Sequence, residues 1–401
     1  MAVPERGRLG ARLRRTFGLI TASLGRSCVW GGNPTMSDFA VITHTHWDEA
    51  PRIRHQVTDL IIGAGHRVWF FERPRVALGS RQSALDLGPT GPVRVPTRNL
   101  LHHQVRILPA LHHLNAVRVR SDLRGASAAA GLLKPMQIIN FAHDYWFLRD
   151  VFPGSRITTI IHDDFESQSR LPFRAHITWS LRRTCMASDV VFAVSEPLRR
   201  RLSSWCDAKL FLPWALDPYR APRAAPSVRR RLLFWGHVDT AIDPDVVRRL
   251  SSALARRGPE WGILVVGPTA SKRRAQVTAP LAKLPNVEIL DRTSLDRLPL
   301  EDVIAAILPY RDTPAVNAVT LANKSMQLLA RGLPLMVSGM PNFLDLPFVV
   351  RMDGEAADSA IDRCIEGFEG WQGSIRAFLE ANGPDDRLRQ LGIERSAVSA
   401  G

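Results

Sequence analysis

One feature narrows the possible folds more than any other. Short apolar runs alternate with stretches of helical spacing, the alternation breaks once at a Pro-rich segment, and then it starts again. "FAVITHTHW" (39–47) is an apolar run that passes into a polar loop. Residues 52–64 have helical spacing and stop at Gly65, and "RVWFFERP" supplies the next strand. This is a β-loop-α-β unit with its loop at the strand's C-terminal end, where open parallel sheets bind ligands. "MQIINFAHDYW", "RITTIIHDDF" and "DVVFAVS" read as further strands, and "LPFRAHITWSLRRTCMAS" and "EPLRRRLSS" as helices.

At "LFLPWALDPYRAPRAAPSVRRR" the pattern stops. Pro213, Pro218, Pro222 and Pro226 among basic residues read as a linker. Beyond it come strand "LLFWGHV", helix "DPDVVRRLSSALARR", strands "GILVVGP", "VEIL" and "VIAAILPY", a helix at 322–331, and strand "LPLMVS". Each half starts with its own strand, so the expected fold is α/β, with two Rossmann-like domains facing each other across a cleft. The length agrees: 401 residues is more than one core usually serves, at ~100–200 residues per domain. The last stretch, "WQGSIRAFLEANGPDDRLRQLG", reads as helical.

The four cysteines, Cys28, Cys185, Cys206 and Cys364, are scattered and form no CxxC pair, which argues against a disulfide framework or a zinc site. No apolar run approaches the ~18 residues of a membrane span. The expected location is cytoplasmic, at the inner face of the cytoplasmic membrane if the basic half binds anionic lipid. The net charge of +15 is uneven. Residues 1–35 hold six Arg and one Glu, and residues 36–220 hold 24 Lys and Arg against 16 Asp and Glu. Such a face attracts polyanions or anionic headgroups, although Arg on solvated helix faces needs no partner. Three readings fit residues 1–35: a twin-arginine signal at Arg14 and Arg15, an interfacial basic helix, or a start at Met36, where "MSDFAVITHTHW" opens directly into the first strand. The third is adopted.

The second half holds one ordered set of polar positions. "WGHVD" (235–239) and "VGP" (266–268) follow its first two strands, and "PYRD" (309–312) precedes the helix opening "LANKSMQ". Gly236 and Gly267 let a ligand approach the backbone. Asn323 can cap the helix, and Lys324 and Gln327, three residues apart, share a face near its start. Positive charge with free N–H groups suits a phosphate or diphosphate. His237, Tyr310, Arg311 and Ser325 complete the expected donor-binding set. As isolated residues, Lys324 and Gln327 are also ordinary helix-surface side chains, and the two glycines ordinary turn residues.

Taken in order, the Pro-rich hinge, "FWGHV", "ILVVGP", "PNVEIL", "ILPYR" and "NKSMQLLARGLPLMVS" resemble the donor half of GT-B glycosyltransferases of the glycosyltransferase group 1 superfamily. "ITHTHWDEAPRIRHQ" and "DDFESQSR…ASDVVFAVSEPLRRRL" are similar to its acceptor domain. The resemblance spans roughly residues 37–370. It implies four segments: 1–35, a basic extension, untranslated or disordered; 36–215, acceptor-binding; 216–370, nucleotide-sugar-binding; and 371–401, a helix and tail crossing back to the first domain. Two departures stand out. Many retaining members carry two Glu eight positions apart where this chain has Val319 and Gln327. The diphosphate clamp after "FWGHV" is replaced by His237, Val238 and Asp239. A Lys-x-x-Gln pair in this helix is similar to inverting glucuronosyltransferases of bacterial exopolysaccharide assembly, which implies that Lys324 carries the diphosphate and Gln327 lies beside it.

Such a transferase must stabilise a departing diphosphate and activate an acceptor hydroxyl. The candidate bases cluster at strand ends in the first half: Asp163 with Asp164 after "TTIIH", where adjacent carboxylates can raise one another's pKa, or His46 with Asp48, near His44 and Glu49. The same carboxylates can instead cap a helix or solvate a loop. "HTHWDE" shows two histidines and no evident third ligand, so no metal site is expected, and no cofactor beyond a UDP-linked sugar co-substrate. The expected partners are a nucleotide-sugar and a glycan or lipid-linked acceptor. Trp30, Trp47, Trp69, Trp146 and Trp179 suit a lipid-linked acceptor or plain core packing. The alternative is a non-catalytic nucleotide-sugar-binding scaffold. A nucleic-acid partner is not expected, since no recognition helix, RNP-like strand or zinc knuckle occurs, and no G-x-G-x-x-G supports a dinucleotide oxidoreductase.

Overall fold

A computed structural model describes residues 36–49, 52–76, 91–99, 109–132, 134–167, 174–222, 230–238, 240–268 and 272–396. The basic segment 1–35 with Trp30, the linker residues 223–229 with Pro226, Asp239 and the tail 397–401 lie outside the described residues.

In the first half the strands are β1 (Asp38–Ile42), β2 (Arg67–Phe71), β3 (Arg75–Val76), β4 (Val93–Val95), β5 (Arg98–Asn99), β6 (Gln137–Asn140), β7 (Arg156–Ile161), β8 (Val190–Ala193) and β9 (Ala208–Leu210). Seven of them form one sheet in the order β4-β2-β1-β6-β7-β8-β9, and β3 pairs with β5. Every pairing is parallel. The helices are α1 (Ile53–Gly63), α2 (Pro109–Ala129), α3 (Leu148–Val151), α4 (Arg174–Met186) and α5 (Glu196–Leu202). Alternate strand residues explain the layers. Phe39 and Val41 share a core with Val57 and Ile61 of α1, while Ala40 and Ile42 share another with Val119 and Leu123 of α2. The sheet is apolar on both faces because helices cover both.

The second half repeats the plan with β10 (Arg231–Trp235), β11 (Gly262–Val266), β12 (Val287–Leu290), β13 (Val303–Pro309), β14 (Leu335–Ser338) and β15 (Val349–Arg351). Their order is β12-β11-β10-β13-β14-β15, again all parallel. The helices are α6 (Pro244–Arg257), α7 (Lys272–Leu281), α8 (Pro314–Asn317), α9 (Asn323–Leu329), α10 (Ala357–Gly367), α11 (Gln372–Ala381) and α12 (Pro384–Leu391). Asp243 caps α6 by accepting from the Asp245 N–H at 2.9 Å, with Pro244 in the first turn. After α9, Gly332 takes φ +71° and Pro334 prevents the helix from resuming.

Both sheets reverse direction in the same way. From β1 the chain builds outward through β2 and β4, then returns to the other side of β1 as β6; from β10 it builds through β11 and β12 and returns as β13. The loops after β1 and β6, and after β10 and β13, therefore part at two topological switch points, where such sheets leave a crevice for ligands. The α/β fold with two Rossmann-like domains is the one expected.

The halves are joined twice. In the hinge, Phe211 and Trp214 enter the first core and Leu212 the second. At the other end, the expected single helical stretch is two helices broken at Gly383 and Pro384, since a proline ring cannot continue the preceding helix. Ile375 and Leu379 of α11 stay on the second core, while Leu388 and Leu391 of α12 join Phe39 and Val41 in the first. Gln137 Nε2 donates to the Leu391 carbonyl at 3.1 Å, and the Ser396 N–H donates to the Ala64 carbonyl at 2.7 Å.

The second switch point is closely packed. A Cβ at Gly267 would run into the Gly236 carbonyl oxygen, whereas nothing lies within 4 Å of one at Gly63 on α1. Gly267→Ala should therefore cost about 1–3 kcal/mol through overpacking. Gly63→Ala should stabilise by about 0.4–1 kcal/mol, by restricting the unfolded chain. Urea midpoints of the two variants, moving in opposite directions, check this.

Candidate active site

At the second switch point, β10 ends at Trp235 and β13 at Pro309, and the loops that follow are stitched together. The Arg311 N–H donates to the Ala241 carbonyl at 2.8 Å, and Arg311 Nε donates to the Ile242 carbonyl at 3.2 Å. Lys324, at the start of α9, reaches back over these strand ends. Its Nζ lies 4.3 Å from the ring centre of Phe234 and 4.8 Å from that of Tyr310. Two aromatic faces attract an ammonium held partly out of water. Gly236 has φ +138°, and a Cβ there would stand 3.1 Å from Lys324 Nζ, so a side chain would take the space the ammonium uses.

The other expected donor residues separate. Ala322, not Asn323, occupies the cap of α9, and Asn323 Oδ1 accepts from Gln56 Nε2 of α1 at 3.2 Å, across to the first half. The Thr320 hydroxyl likewise accepts from the Glu196 N–H at 2.7 Å. Gln327 packs against the hinge. Its Nε2 donates to the Trp214 carbonyl at 3.3 Å and its Oε1 accepts from the Leu216 N–H at 3.2 Å, so the hinge takes up both ends of its amide. Ser325 is fully buried, and its hydroxyl has no hydrogen-bond partner among the described residues. His237 is exposed at the end of β10.

Around the first switch point the expected bases prove to be otherwise engaged. Asp163 is exposed and accepts from the Asp164 N–H at 2.9 Å. The pair does not raise the pKa of Asp164. Burial pushes that carboxyl up, but Arg201 at 2.9 Å and the Ser167 N–H at 3.1 Å more than offset it and hold it below the ordinary range. Nor does Asp48 orient His46. It forms a two-pronged pair with Arg94, which holds its carboxyl low, and its side chain is 77% exposed. The carboxylate beside His46 is Glu72, 3.5 Å from Nδ1.

The structure instead joins His44, at the end of β1, to Asp144, after β6. His44 Nε2 donates to Asp144 Oδ1 at 2.8 Å, with the edge of Tyr145 against the imidazole at 5.0 Å. Asp144 is buried and the His44 side chain is 15% exposed. Arg73 fixes this loop by donating from Nε to the His44 carbonyl at 2.9 Å and pairing with Glu49. An imidazole oriented by a buried carboxylate is a base–orienter arrangement. Asp144 was available in "NFAHDYW" as an acid following a strand; choosing it over the other strand-end acids needed the sheet order that puts β6 beside β1.

Deeper in, Arg54 Nη1 donates to His162 Nε2 at 3.0 Å. Burial, then the charge of Arg54, pushes the His162 imidazole down to about 3. No group of three His, Cys, Asp or Glu among the described residues is arranged to hold a metal ion. No helix among them is long and apolar enough to cross a membrane.

No family model and no curated protein matches the chain. Solved structures do match. The α,α-trehalose 6-phosphate synthase of Burkholderia multivorans is 12% identical with a TM-score of 0.57, covering 89% of this chain and 99% of its own. A glycosyltransferase of Rickettsia africae ESF-5 is 10% identical at 0.60, covering 89% and 97%. Anabaena HepE in complex with UDP and glucose is 10% identical at 0.58, covering 89% and 98%. At such identities the likeness is one of fold, and the fold is GT-B.

His162 gives a pH test. The unfolded chain protonates it near the ordinary 6.5, whereas the folded chain resists until about 3. Its contribution is therefore complete above pH 6.5 and is lost as pH falls toward 3. His162→Gln keeps an acceptor for Arg54 but does not titrate. Urea midpoints should depend less steeply on pH between about 6.5 and 5, above the main carboxylate range, than those of the native protein.

Proposed function

We propose that the chain is a glycosyltransferase that moves a sugar from a nucleotide-sugar to an acceptor hydroxyl, by an inverting, metal-independent route. The observation that carries this reading is the Lys324 ammonium at the second switch point, lodged between Phe234, Tyr310 and the Gly236 backbone. A fixed cation at the mouth of a parallel sheet suits the charge that grows on a departing diphosphate. The UDP and glucose in the HepE structure support a UDP-linked donor. Gly236, Gly267, His237, Tyr310 and Arg311 would line the nucleotide side, and Asn323 would tie it to α1.

On the acceptor side, His44 with Asp144 is the base we favour, in place of Asp164 and Asp48, which their arginines hold as carboxylates. The acceptor oxygen attacks the anomeric carbon, its proton passes to Nδ1 of His44, and the bond to the diphosphate breaks with the electron pair going to phosphate near Lys324. Asp144 stabilises the resulting imidazolium. Inversion follows from a single displacement.

A lipid-linked or polysaccharide acceptor at an anionic membrane surface is supported by one face of the first half. Leu114, Val117, Trp179 and Met186 are exposed there, and the Arg183 guanidinium lies 5.4 Å and 5.1 Å from the ring centres of Trp146 and Trp179. A scaffold that binds nucleotide-sugar without transfer is favoured by one observation, the commitment of Gln327 to the hinge.

Thermal shift with UDP, and UDP release from a panel of UDP-sugars, test the reading. Lys324→Ala should weaken UDP binding about 10- to 100-fold, the loss of one charge-assisted contact. Asp144→Asn should leave UDP binding intact and slow turnover about 10²–10⁴-fold. Binding that survives Lys324→Ala would contradict the donor site, and turnover that survives Asp144→Asn would contradict the base. UDP binding without turnover in the native chain would favour the scaffold.

A further inference from the structure

Several arginines around the C-terminal end of the first sheet are paired with carboxylates. Arg73 pairs with Glu49, Arg94 with Asp48, and Arg201 with Asp164 and Glu166. Arg54 is 5% exposed, and its one hydrogen bond among the described residues goes to a histidine. His162 brings no negative charge to offset it, since burial and the guanidinium itself keep the imidazole neutral. Arg54 Nε is buried without a hydrogen-bond partner among the described residues. Glu49 and Asp163 favour the charge from beyond ion-pair contact, Arg52 and Arg73 oppose it, and burial dominates, drawing the guanidinium down to about 10. It therefore remains charged at neutral pH, largely desolvated and with no carboxylate in ion-pair contact among the described residues.

A cation in that state is costly for a fold to keep unless something else supplies the anion. Its position says what that is. Arg54 lies in the first turn of α1, and Gln56, two residues on, touches Asn323 beside Lys324. His162 begins the loop that carries Asp163 after β7. The His162 ring connects through those of Phe165 and His143 to His44, so the guanidinium lies on the side of the first half that carries the His44–Asp144 pair.

We propose that Arg54, oriented by neutral His162, binds an anionic group, phosphate or carboxylate, on the acceptor. The planar fork of arginine suits both anions. The word acceptor rests on the transferase reading; the anion site itself does not. Among anionic acceptors the site admits a sugar phosphate, a phosphate-linked lipid or a uronic acid, and the fork alone favours none of them.

The test is calorimetric titration of the full chain with inorganic phosphate and, separately, glucuronate, in the presence of excess UDP to occupy the donor side. Native protein should bind one equivalent of at least one probe. Arg54→Met should weaken that binding about tenfold or more while leaving UDP affinity unchanged. Its melting temperature should be no lower than the native value, because an uncompensated charge has been replaced by an apolar chain of similar length. Arg54→Lys, which keeps the charge but not the fork, should bind the probe less tightly than native protein and more tightly than Arg54→Met. If Arg54→Met does not fold, weaker binding by Arg54→Lys carries the test. Stronger binding of phosphate or of glucuronate identifies the anion. Probe binding unchanged in both variants, or absent from native protein for both probes, would overturn the proposal. Arg54-dependent probe binding in a chain that ignores UDP would leave the anion site standing and remove the transferase reading instead.

Discussion

The contact on which the rest depends is that between the Lys324 ammonium and the faces of Phe234 and Tyr310, 4.3 and 4.8 Å from their ring centres. Lys324 is half-buried, and no helix holds a lysine over two strand ends by propensity alone. Three things make room for it. β10 and β13 send their loops apart because the chain reverses direction between them. Gly236 lacks the Cβ that would crowd Nζ, and Gly267 lacks the one that would push the Gly236 carbonyl away. Aromatic faces then replace part of the ammonium's hydration.

The first half uses the same reversal for different chemistry. Its switch point brings together two residues one hundred positions apart, His44 and Asp144, and surrounds them with arginines, most already neutralised by carboxylates. The neutralised ones fix loops. Arg54 is buried and hydrogen-bonded to a neutral imidazole, with no carboxylate in contact among the described residues. Positive charge on both sides of the cleft, with an imidazole–carboxylate pair between strand ends, suits a reaction between two anionic partners. The bridges from Gln56 to Asn323 and from Glu196 to Thr320 set how closely those sides approach.

Much of this was legible in the sequence. Parallel strands covered on both faces must be nearly continuous apolar runs, so "FAVI", "RVWFF" and "VIAAIL" declare themselves, and a proline-rich break between two such series marks the hinge. The shortest strands were not legible. β4, β9 and β15 have three residues each, too few to show a period. At the site, Lys324 and Gly236 were legible because one local pattern carries them. Partnerships were not. Asp164 looks like a reactive twin of Asp163 until Arg201 arrives from α5, Asp48 looks like an orienter until Arg94 arrives from β4, and Gln327 looks like a ligand until the hinge folds against it. Each partner comes from a distant element whose position depends on sheet order.

The crevice between β10 and β13 is the donor site we propose. Hydrogen–deuterium exchange of the native chain with and without UDP tests it most directly. Exchange should slow in peptides carrying Gly236, Tyr310 and Lys324, with little change in the far edge strands β12 and β15. Protection confined to the first half, or no protection anywhere at saturating UDP, would contradict it.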